Sequence, residues 1–235
     1  MRSMGQRRVV FWDFDGTLAE REGYWSSILR EAVLAVDPAA RVTVEELEPG
    51  LKDGFPRWEP GGLRVYPDAA TWWAASSPVL VQACVGAGVQ RVMALRAVAG
   101  IPQIYYRPGS WQIIAGASEA LSMTATAGFA NVILSNHAPE LPDLVEALGF
   151  GRLVERTITS ASLGLEKPNP LAFRMALRLT NASPDSWMIG DNPTADIAGA
   201  RAIGMHALLV LRSEAGRPPL TLTEAAAHVI NGPSA

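Results

Sequence analysis

Short, continuous apolar runs that end at polar residues constrain the fold of this chain more than any other feature. The first run is Val9–Trp12, and Asp13 follows it directly. Because strands buried on both faces are apolar throughout, this run predicts a buried strand with Asp13 at its carboxyl end. Similar runs predict four further strands, over residues 131–135, 156–160, 186–190 and 206–211.

Helical patterns lie between the predicted strands. Apolar residues recur at helical spacing over 141–148, and Gly149 ends the pattern. Residues 170–179 and 194–203 show similar patterns. Alternating strands and helices predict an α/β fold, in which helices cover both faces of a parallel sheet. Sites in such sheets form at the carboxyl ends of the strands.

The segment 18–112 breaks this alternation and predicts an all-helical insertion with no strand. Apolar spacing predicts helices around Trp25, 73–85 and 92–99, and Thr43 begins a capping box that Glu46 completes. A segment rich in glycine and proline, from Glu48 to Pro67, predicts a long loop inside the insertion. The predicted domains are therefore a core of residues 1–17 and 113–235 and a helical domain of residues 18–112.

The composition excludes several classes of protein. Of the 235 residues, 20 are basic and 23 acidic, and this absence of a basic excess argues against nucleic-acid binding. No apolar run approaches the ~18 residues that a membrane span needs. The first apolar run is too short for a signal peptide, so we expect a cytoplasmic protein. A single cysteine, Cys84, excludes an internal disulfide and a multi-cysteine zinc site.

Two carboxylates two residues apart follow the first predicted strand, in the sequence Asp13-Phe14-Asp15-Gly16-Thr17. One carboxylate could bind a metal ion and attack a substrate, while the other carries a proton. Gly16 permits tight backbone geometry between them. Taken alone, this spacing is also typical of an ordinary polar turn.

Three further polar groups follow later predicted strands. Ser135 and Asn136 end the second strand, where a hydroxyl group and free N–H groups suit a phosphate oxygen. Lys167 is one of only two lysines and precedes a proline-stiffened turn. Asp191 ends the fourth strand, and Asp196 opens the next helix, where it could also be a simple helix cap.

In their order along the chain, these groups resemble the motifs of the haloacid dehalogenase-like (HAD) hydrolase superfamily. The resemblance covers about residues 7–18 and 113–212. It implies a Rossmann-like core sheet of strand order 3-2-1-4-5, in which the first and fourth strands are neighbours. It also implies that the insertion 18–112 is the family's helical cap domain.

The resemblance implies a role for each polar residue. Asp13 would be the nucleophile, and Asp15 would be the general acid and then the general base. Mg²⁺ would be held by Asp13, Asp191 and the backbone carbonyl of Asp15. Thr17, Ser135 and the backbone of Asn136 would contact the phosphate. Lys167 would neutralise charge, and Asp196 would support Lys167 or a metal-bound water.

The function implied is Mg²⁺-dependent hydrolysis of a small-molecule phosphate ester through an aspartyl-phosphate, by a monomer or homodimer that binds neither nucleic acid nor membrane. Relatives that cleave carbon–halogen bonds lack an acid at the Asp15 position, and phosphonate-cleaving relatives lack an aspartate there and need a lysine from the cap. A sugar phosphomutase remains an alternative, as does a phosphate-binding regulator without turnover.

Two features near the predicted site have no assigned role. The predicted cap loop Lys52–Trp58 combines cations, aromatic rings and glycine. It could recognise the leaving group of the substrate, or it could be an ordinary surface loop. His137 follows Ser135 and Asn136, but a lone histidine is most often structural or simply exposed.

Overall fold

A computed structural model of the chain describes residues 6–51, 65–213 and 218–232. These residues form two compact units. The first unit contains residues 6–20 and the described part of 112–232. The second contains residues 21–51 and 66–111. The domain boundaries expected from the sequence remain a prediction.

Helices follow one another between residues 24 and 105, and strands and helices alternate from residue 112 onward. In chain order they are β1 (Val9–Trp12), β2 (Ala19–Glu20), α1 (Tyr24–Val36), α2 (Val44–Leu47), α3 (Ala69–Gly86), α4 (Arg91–Ala99), α5 (Ile101–Tyr105), β3 (Gln112–Ile113), α6 (Ala117–Thr126), β4 (Ala130–Ser135), α7 (Leu141–Ala147), β5 (Arg156–Thr159), α8 (Ser160–Leu163), α9 (Pro170–Thr180), β6 (Trp187–Gly190), α10 (Gly199–Arg201), β7 (His206–Leu209) and α11 (Leu222–Asn231).

The first unit is built on a five-stranded parallel sheet of order β5-β4-β1-β6-β7. This is the predicted order 3-2-1-4-5, so the predicted α/β fold and its strand order are confirmed. In the register of the sheet, Val10 lies between Asn131 of β4 and Trp187 of β6. The carboxyl ends of β1 and β6 are therefore neighbours.

The sheet is apolar because helices cover it. All four residues of β1 and all four of β6 are buried. Helix α9 turns Ala172, Phe173 and Ala176 toward this core and leaves Leu171 exposed on its other face. Burial of such side chains contributes about 1.5–3 kcal/mol for each large one.

One polar side chain, Asn131 of β4, lies inside this apolar region and has partners for both ends of its amide. Its Oδ1 accepts hydrogen bonds from Trp12 Nε1 at 3.0 Å and Thr124 Oγ1 at 2.7 Å. Its Nδ2 donates to the carbonyl oxygens of Leu121 and Leu153. A buried amide lowers stability mainly when it lacks hydrogen-bond partners, so these bonds allow Asn131 to lie in the core at little cost in folding free energy.

The expectation that residues 18–112 contain no strand is wrong at Ala19–Glu20. These residues form β2, which pairs antiparallel with β3 in a two-stranded sheet. Two residues per strand are too few to produce a recognisable alternation of apolar and polar residues.

Most of the predicted loop 48–67, including the segment 52–58, lies outside the described residues.

The second unit is helical in its described part, and aromatic rings pack at its centre. Trp25 stacks on Tyr105 with 4.8 Å between ring centroids, and Trp72 meets Trp73 edge to face. The buried Arg21 donates to the carbonyl oxygen of Ile104 at 2.8 Å. Within the described residues, no helix is both long enough and apolar enough to cross a membrane.

Candidate active site

The turn after β1 carries the first two predicted site residues. The N–H of Asp13 donates to the carbonyl oxygen of Ile189 on β6, which fixes the end of the strand. Gly16 has a φ of +78°, a conformation that glycine adopts without strain. The N–H groups of Thr17 and Leu18 donate back to the carbonyl oxygen of Phe14. The chain therefore turns tightly and leaves Asp13 and Asp15 beyond the carboxyl end of β1, the central strand of the sheet.

The segment after β6 carries the next two carboxylates. A π-helical turn over Pro193–Ala198 follows Asn192, whose side chain accepts hydrogen bonds from the first N–H groups of the turn. Single π turns are frequent at functional sites. This turn brings the Asp196 carboxylate back to the N–H of Asn192, at 3.0 Å. A Cβ at Gly190 would overlap that carboxylate, so the close approach requires glycine there.

Asp13, Asp191 and Asp196 form a buried cluster of carboxylates. One oxygen atom from each of the three residues lies within 4.8 Å of the other two. Asp196 is fully buried, and the other two are 7% exposed. Burial raises the pKa of Asp196, and the charge of Asp13 raises it further, while Lys167 opposes the shift. Ionised carboxylates at this spacing repel one another, so the cluster needs positive charge.

Lys167 supplies one positive charge within the cluster. Its Nζ donates to Asp13 Oδ1 at 2.9 Å and to Asp196 Oδ1 at 2.6 Å. Burial by itself would lower the pKa of Lys167, but the charges of both carboxylates and their hydrogen bonds outweigh it, and the pKa is raised. Lys167 is therefore a cation at neutral pH despite being 4% exposed.

Asn136 positions Lys167 through its side chain. Asn136 Nδ2 donates to the carbonyl oxygen of Lys167, and Asn136 Oδ1 accepts from the N–H of Lys167, both at 2.8 Å. The resemblance implied a phosphate contact for the backbone of Asn136, and these side-chain hydrogen bonds to the backbone of Lys167 were not predicted. A paired donor and acceptor in one amide group explain why asparagine suits the position.

Asp15 differs from the other carboxylates because no cation among the described residues donates a hydrogen bond to it. Its Oδ1 is buried and has no hydrogen-bond partner among the described residues. Burial raises the pKa of Asp15 well above its usual value, and the charge of Asp13 adds to the increase, although Lys167 opposes it. Asp15 can therefore keep its proton where an ordinary aspartate would not.

The hydroxyl groups predicted to contact phosphate also lie at the carboxyl ends of the strands. Thr17 is fully buried, and its Oγ1 accepts a hydrogen bond from the N–H of Asp191 at 3.1 Å. Ser135 ends β4 and is buried. The structure thus brings together every candidate site residue of the first unit, on consecutive loops at one end of the sheet.

Arg212 contacts the site and was not identified from the sequence. It follows β7, after Leu211 has turned the chain with a φ of +61°. Its Nε and Nη2 both donate to Asp191 Oδ2, at 3.0 and 2.7 Å. Burial raises the pKa of Asp191, and the hydrogen bonds of Arg212 oppose the increase. Its position after the last predicted strand was the only signal in the sequence.

His137 also lies beside the site, and its side chain is fully buried. Its Nε2 is 3.7 Å from Asp15 Oδ2. Its ring meets Phe14 edge-on, with 5.8 Å between the centroids. Phe14 separates Asp13 from Asp15, so His137 packs against the turn that presents both carboxylates.

The donor set fits a hard divalent cation. Asp13, Asp191 and Asp196 offer only carboxylate oxygen atoms, the ligands that Mg²⁺ prefers. Both carboxylate oxygen atoms of Asp196 accept hydrogen bonds, Oδ1 from Lys167 and Oδ2 from the N–H of Asn192. Lys167 contacts a single oxygen of Asp13, and Arg212 contacts a single oxygen of Asp191. Asp13 and Asp191 are therefore the residues that would hold the ion.

Comparison with known proteins agrees with this arrangement. The model of the haloacid dehalogenase-like hydrolase family matches residues 7–204. The chain belongs to the haloacid dehalogenase-like hydrolases. It is 30% identical over 241 residues to the human haloacid dehalogenase-like hydrolase domain-containing protein 3, a match that covers 96% of this chain and 90% of the human protein.

Two other proteins illustrate the range of those that are similar to this chain. A phosphoserine phosphatase from Thermus thermophilus is 36% identical over 87 residues, which is 36% of this chain and 35% of that protein. The crystal structure of a 2-haloacid dehalogenase from Pseudomonas syringae superposes with a TM-score of 0.63 at 22% identity, covering 94% of this chain and 97% of the other. The proteins similar to this chain thus include one named as a phosphatase and one named as a dehalogenase.

Proposed function

We propose that the protein is a Mg²⁺-dependent phosphoric monoester hydrolase that acts on a small phosphorylated metabolite. In this proposal Asp13 is the nucleophile, Asp15 the acid–base residue and Lys167 the fixed positive charge. The helical residues of the insertion would form the cap domain that selects the substrate.

The state of Asp15 carries the proposal. The carboxyl group of Asp15 lies two residues from the nucleophile, has one buried oxygen and has a raised pKa, so it can hold one proton for transfer. The oxygen of an alcohol leaves a phosphate ester as an alkoxide and needs that proton. A halide leaves a carbon atom without protonation, so a dehalogenase has no need of an acid here.

The reaction divides into two displacements at phosphorus. An oxygen of Asp13 attacks the phosphorus atom, the bond from phosphorus to the ester oxygen breaks, and Asp15 gives its proton to the departing oxygen. A water molecule then attacks the phosphorus of the aspartyl-phosphate and gives a proton to Asp15. The bond from phosphorus to Asp13 breaks, and inorganic phosphate leaves. Asp15 ends the cycle protonated, as it began.

Charge balance at the site favours this chemistry. A phosphate dianion would be repelled by Asp13, Asp191 and Asp196. Lys167 offsets one of these charges, and its contacts keep its Nζ against the nucleophile. A divalent cation held by Asp13 and Asp191 would supply the remaining positive charge and stabilise the charge of the transferring group.

The test is phosphate release from a broad panel of phosphate monoesters with and without Mg²⁺. We expect Mg²⁺-dependent turnover in the wild type, and a loss on the order of 10⁶-fold in Asp13→Asn, as for removal of a nucleophile elsewhere. Halide release from 2-halo acids without hydrolysis of any ester would instead establish a dehalogenase. Failure of both reactions would favour a regulator.

Isotopic labelling separates the two hydrolytic reactions independently. Water attacks phosphorus in the proposed reaction, so a single turnover in H₂¹⁸O places the label in phosphate and leaves Asp13 unlabelled. Attack on the carbonyl carbon of an alkyl ester of Asp13, as dehalogenation requires, would place the label in Asp13. A phosphomutase would convert a phosphosugar without releasing phosphate.

A further inference from the structure

The relation between His137 and Asp15 goes beyond the roles assigned so far. The two side chains come from different loops, after β4 and after β1, and face each other with 3.7 Å between Nε2 and Oδ2. Asp15 Oδ1 is buried, while the side chain as a whole remains 22% exposed, so Oδ2 is the oxygen with access to the site. His137 therefore lies beside the oxygen that would exchange the proton.

The orientation of the His137 ring is fixed by its backbone neighbours. Its Nδ1 is 3.2 Å from the carbonyl oxygen of Ala138. A carbonyl oxygen can only accept, so the ring hydrogen lies on Nδ1. The N–H of His137 donates to Ser160 Oγ at 3.2 Å, and the carbonyl oxygen of His137 accepts from the N–H of Ala161 at 3.4 Å. These bonds tie the residue to helix α8.

The tautomer determines what His137 presents to Asp15. With its hydrogen on Nδ1, a neutral ring carries a lone pair on Nε2. The acid–base role proposed for Asp15 places a proton on its carboxyl group, and the Nε2 atom that faces Oδ2 at 3.7 Å is then an acceptor for that proton.

We propose that His137 is the positioning residue for Asp15: its Nε2 accepts the hydrogen bond of the Asp15 carboxyl group and so keeps the transferable proton on Oδ2. The proposal rests on the acid–base role proposed for Asp15. The separation of 3.7 Å is longer than a hydrogen bond, but catalytic contacts often shorten only when the substrate is bound. Rotation of the Oδ2–H bond then redirects the proton from Nε2 to the departing oxygen.

The leaving group of the substrate gives the first test. His137→Phe keeps a ring but removes the acceptor, while His137→Gln can place an amide oxygen near the position of Nε2. We expect His137→Phe to lose about 10²-fold in kcat/KM with an alkyl phosphate, whose leaving group needs a proton. With 2,4-dinitrophenyl phosphate, which needs none, the loss should stay below about 3-fold, and His137→Gln should recover most of the activity with the alkyl ester.

A merely structural histidine would behave differently. Equal losses with both esters, or no recovery in His137→Gln, would overturn the proposal while leaving the hydrolase function intact. His228→Gln, on helix α11, is the matched control and should change neither ester's rate.

A second test does not depend on turnover. Nitrogen-15 spectra of the histidine rings report which nitrogen carries hydrogen, and His137→Gln identifies the His137 signals among those of the three histidines. We expect hydrogen on Nδ1 and a bare Nε2 whose resonance moves in Asp15→Ala. Hydrogen on Nε2, or no response to Asp15→Ala, would overturn the proposal even if no phosphate ester were hydrolysed.

Discussion

Arg212 donates two hydrogen bonds to a single carboxylate oxygen of Asp191, at 3.0 and 2.7 Å. Asp191 is also one of the two carboxylates that would hold the divalent cation. A guanidinium group and a metal ion would both draw on this carboxylate, so Arg212 would compete with a divalent cation for Asp191. The side chain of Arg212 is 61% exposed and can leave when the ion arrives.

Removal of this competitor should strengthen metal binding. We expect Arg212→Gln to bind Mg²⁺ about 2- to 5-fold more tightly in isothermal titration calorimetry, which corresponds to the modest free energy of a partly exposed ion pair. Arg201→Gln removes the same charge from helix α10 without a bond to Asp191 and should leave the affinity nearly unchanged. Weaker binding in Arg212→Gln would show instead that Arg212 orients Asp191 for the ion.

The buried cation should support stability and catalysis separately. Lys167→Met leaves Asp13 and Asp196 buried without their cation, so the free energy of unfolding should fall by about 3–5 kcal/mol. The double variant Lys167→Met with Asp196→Asn also removes the charge of the Asp196 carboxylate. We expect urea titrations to show that it regains part of the lost stability. Phosphatase activity should stay about 10²–10³-fold below the wild type in both variants.

The exposed Arg174 on α9 gives the control for this experiment. Arg174→Met also removes a positive charge from the chain, but it should shift stability by no more than about 0.5 kcal/mol. Full recovery of activity in the double variant would show that Lys167 serves only to balance Asp196.

Residues at the ends of predicted strands could be placed from the sequence because the topology of a parallel sheet brings those ends together. Asp13 and Asp191 are examples, since β1 and β6 are neighbours. The strand β2 could not be predicted, because its two residues form a strand only through pairing with β3, more than 90 residues later.

Side-chain roles that depend on distant neighbours were also beyond prediction. The orientation of His137 depends on Ala138 and on helix α8, and the contact of Arg212 with Asp191 follows the left-handed turn at Leu211. The position of Arg212 after a predicted strand places it at the correct end of the sheet, but neither side-chain contact can be predicted from the local sequence, because tertiary packing selects one of several possible rotamers.

The stability of the metal-free protein should depend on pH through Asp196. Burial and the charge of Asp13 raise the pKa of Asp196 from 3.8 to about 7. The folded protein therefore binds more protons than the unfolded chain between these two values, so its stability falls as the pH rises through that window. We expect urea titrations in the presence of a chelator to show this fall, with a smaller slope in Asp196→Asn.

Two controls identify the source of that pH dependence. Asp185→Asn changes an exposed aspartate away from the cluster and should leave the slope unaltered. Saturating Mg²⁺ favours the ionised carboxylates and should reduce the slope in the wild type. An unchanged slope in Asp196→Asn would assign the effect to Asp15 or Asp191, whose pKa values are also raised.

Gly190 tests whether the close approach of Asp196 to the end of β6 is essential. An added Cβ would overlap the Asp196 carboxylate, which is itself held by Lys167 and the N–H of Asn192 and so has little freedom to retreat. We therefore expect Gly190→Ala to lose about 1–3 kcal/mol of unfolding free energy and, because Lys167 must move with its partner, most of its activity. Gly86→Ala, at the open end of α3, should be neutral or slightly stabilising. Normal activity in Gly190→Ala would mean that the Asp196–Lys167 contact is dispensable.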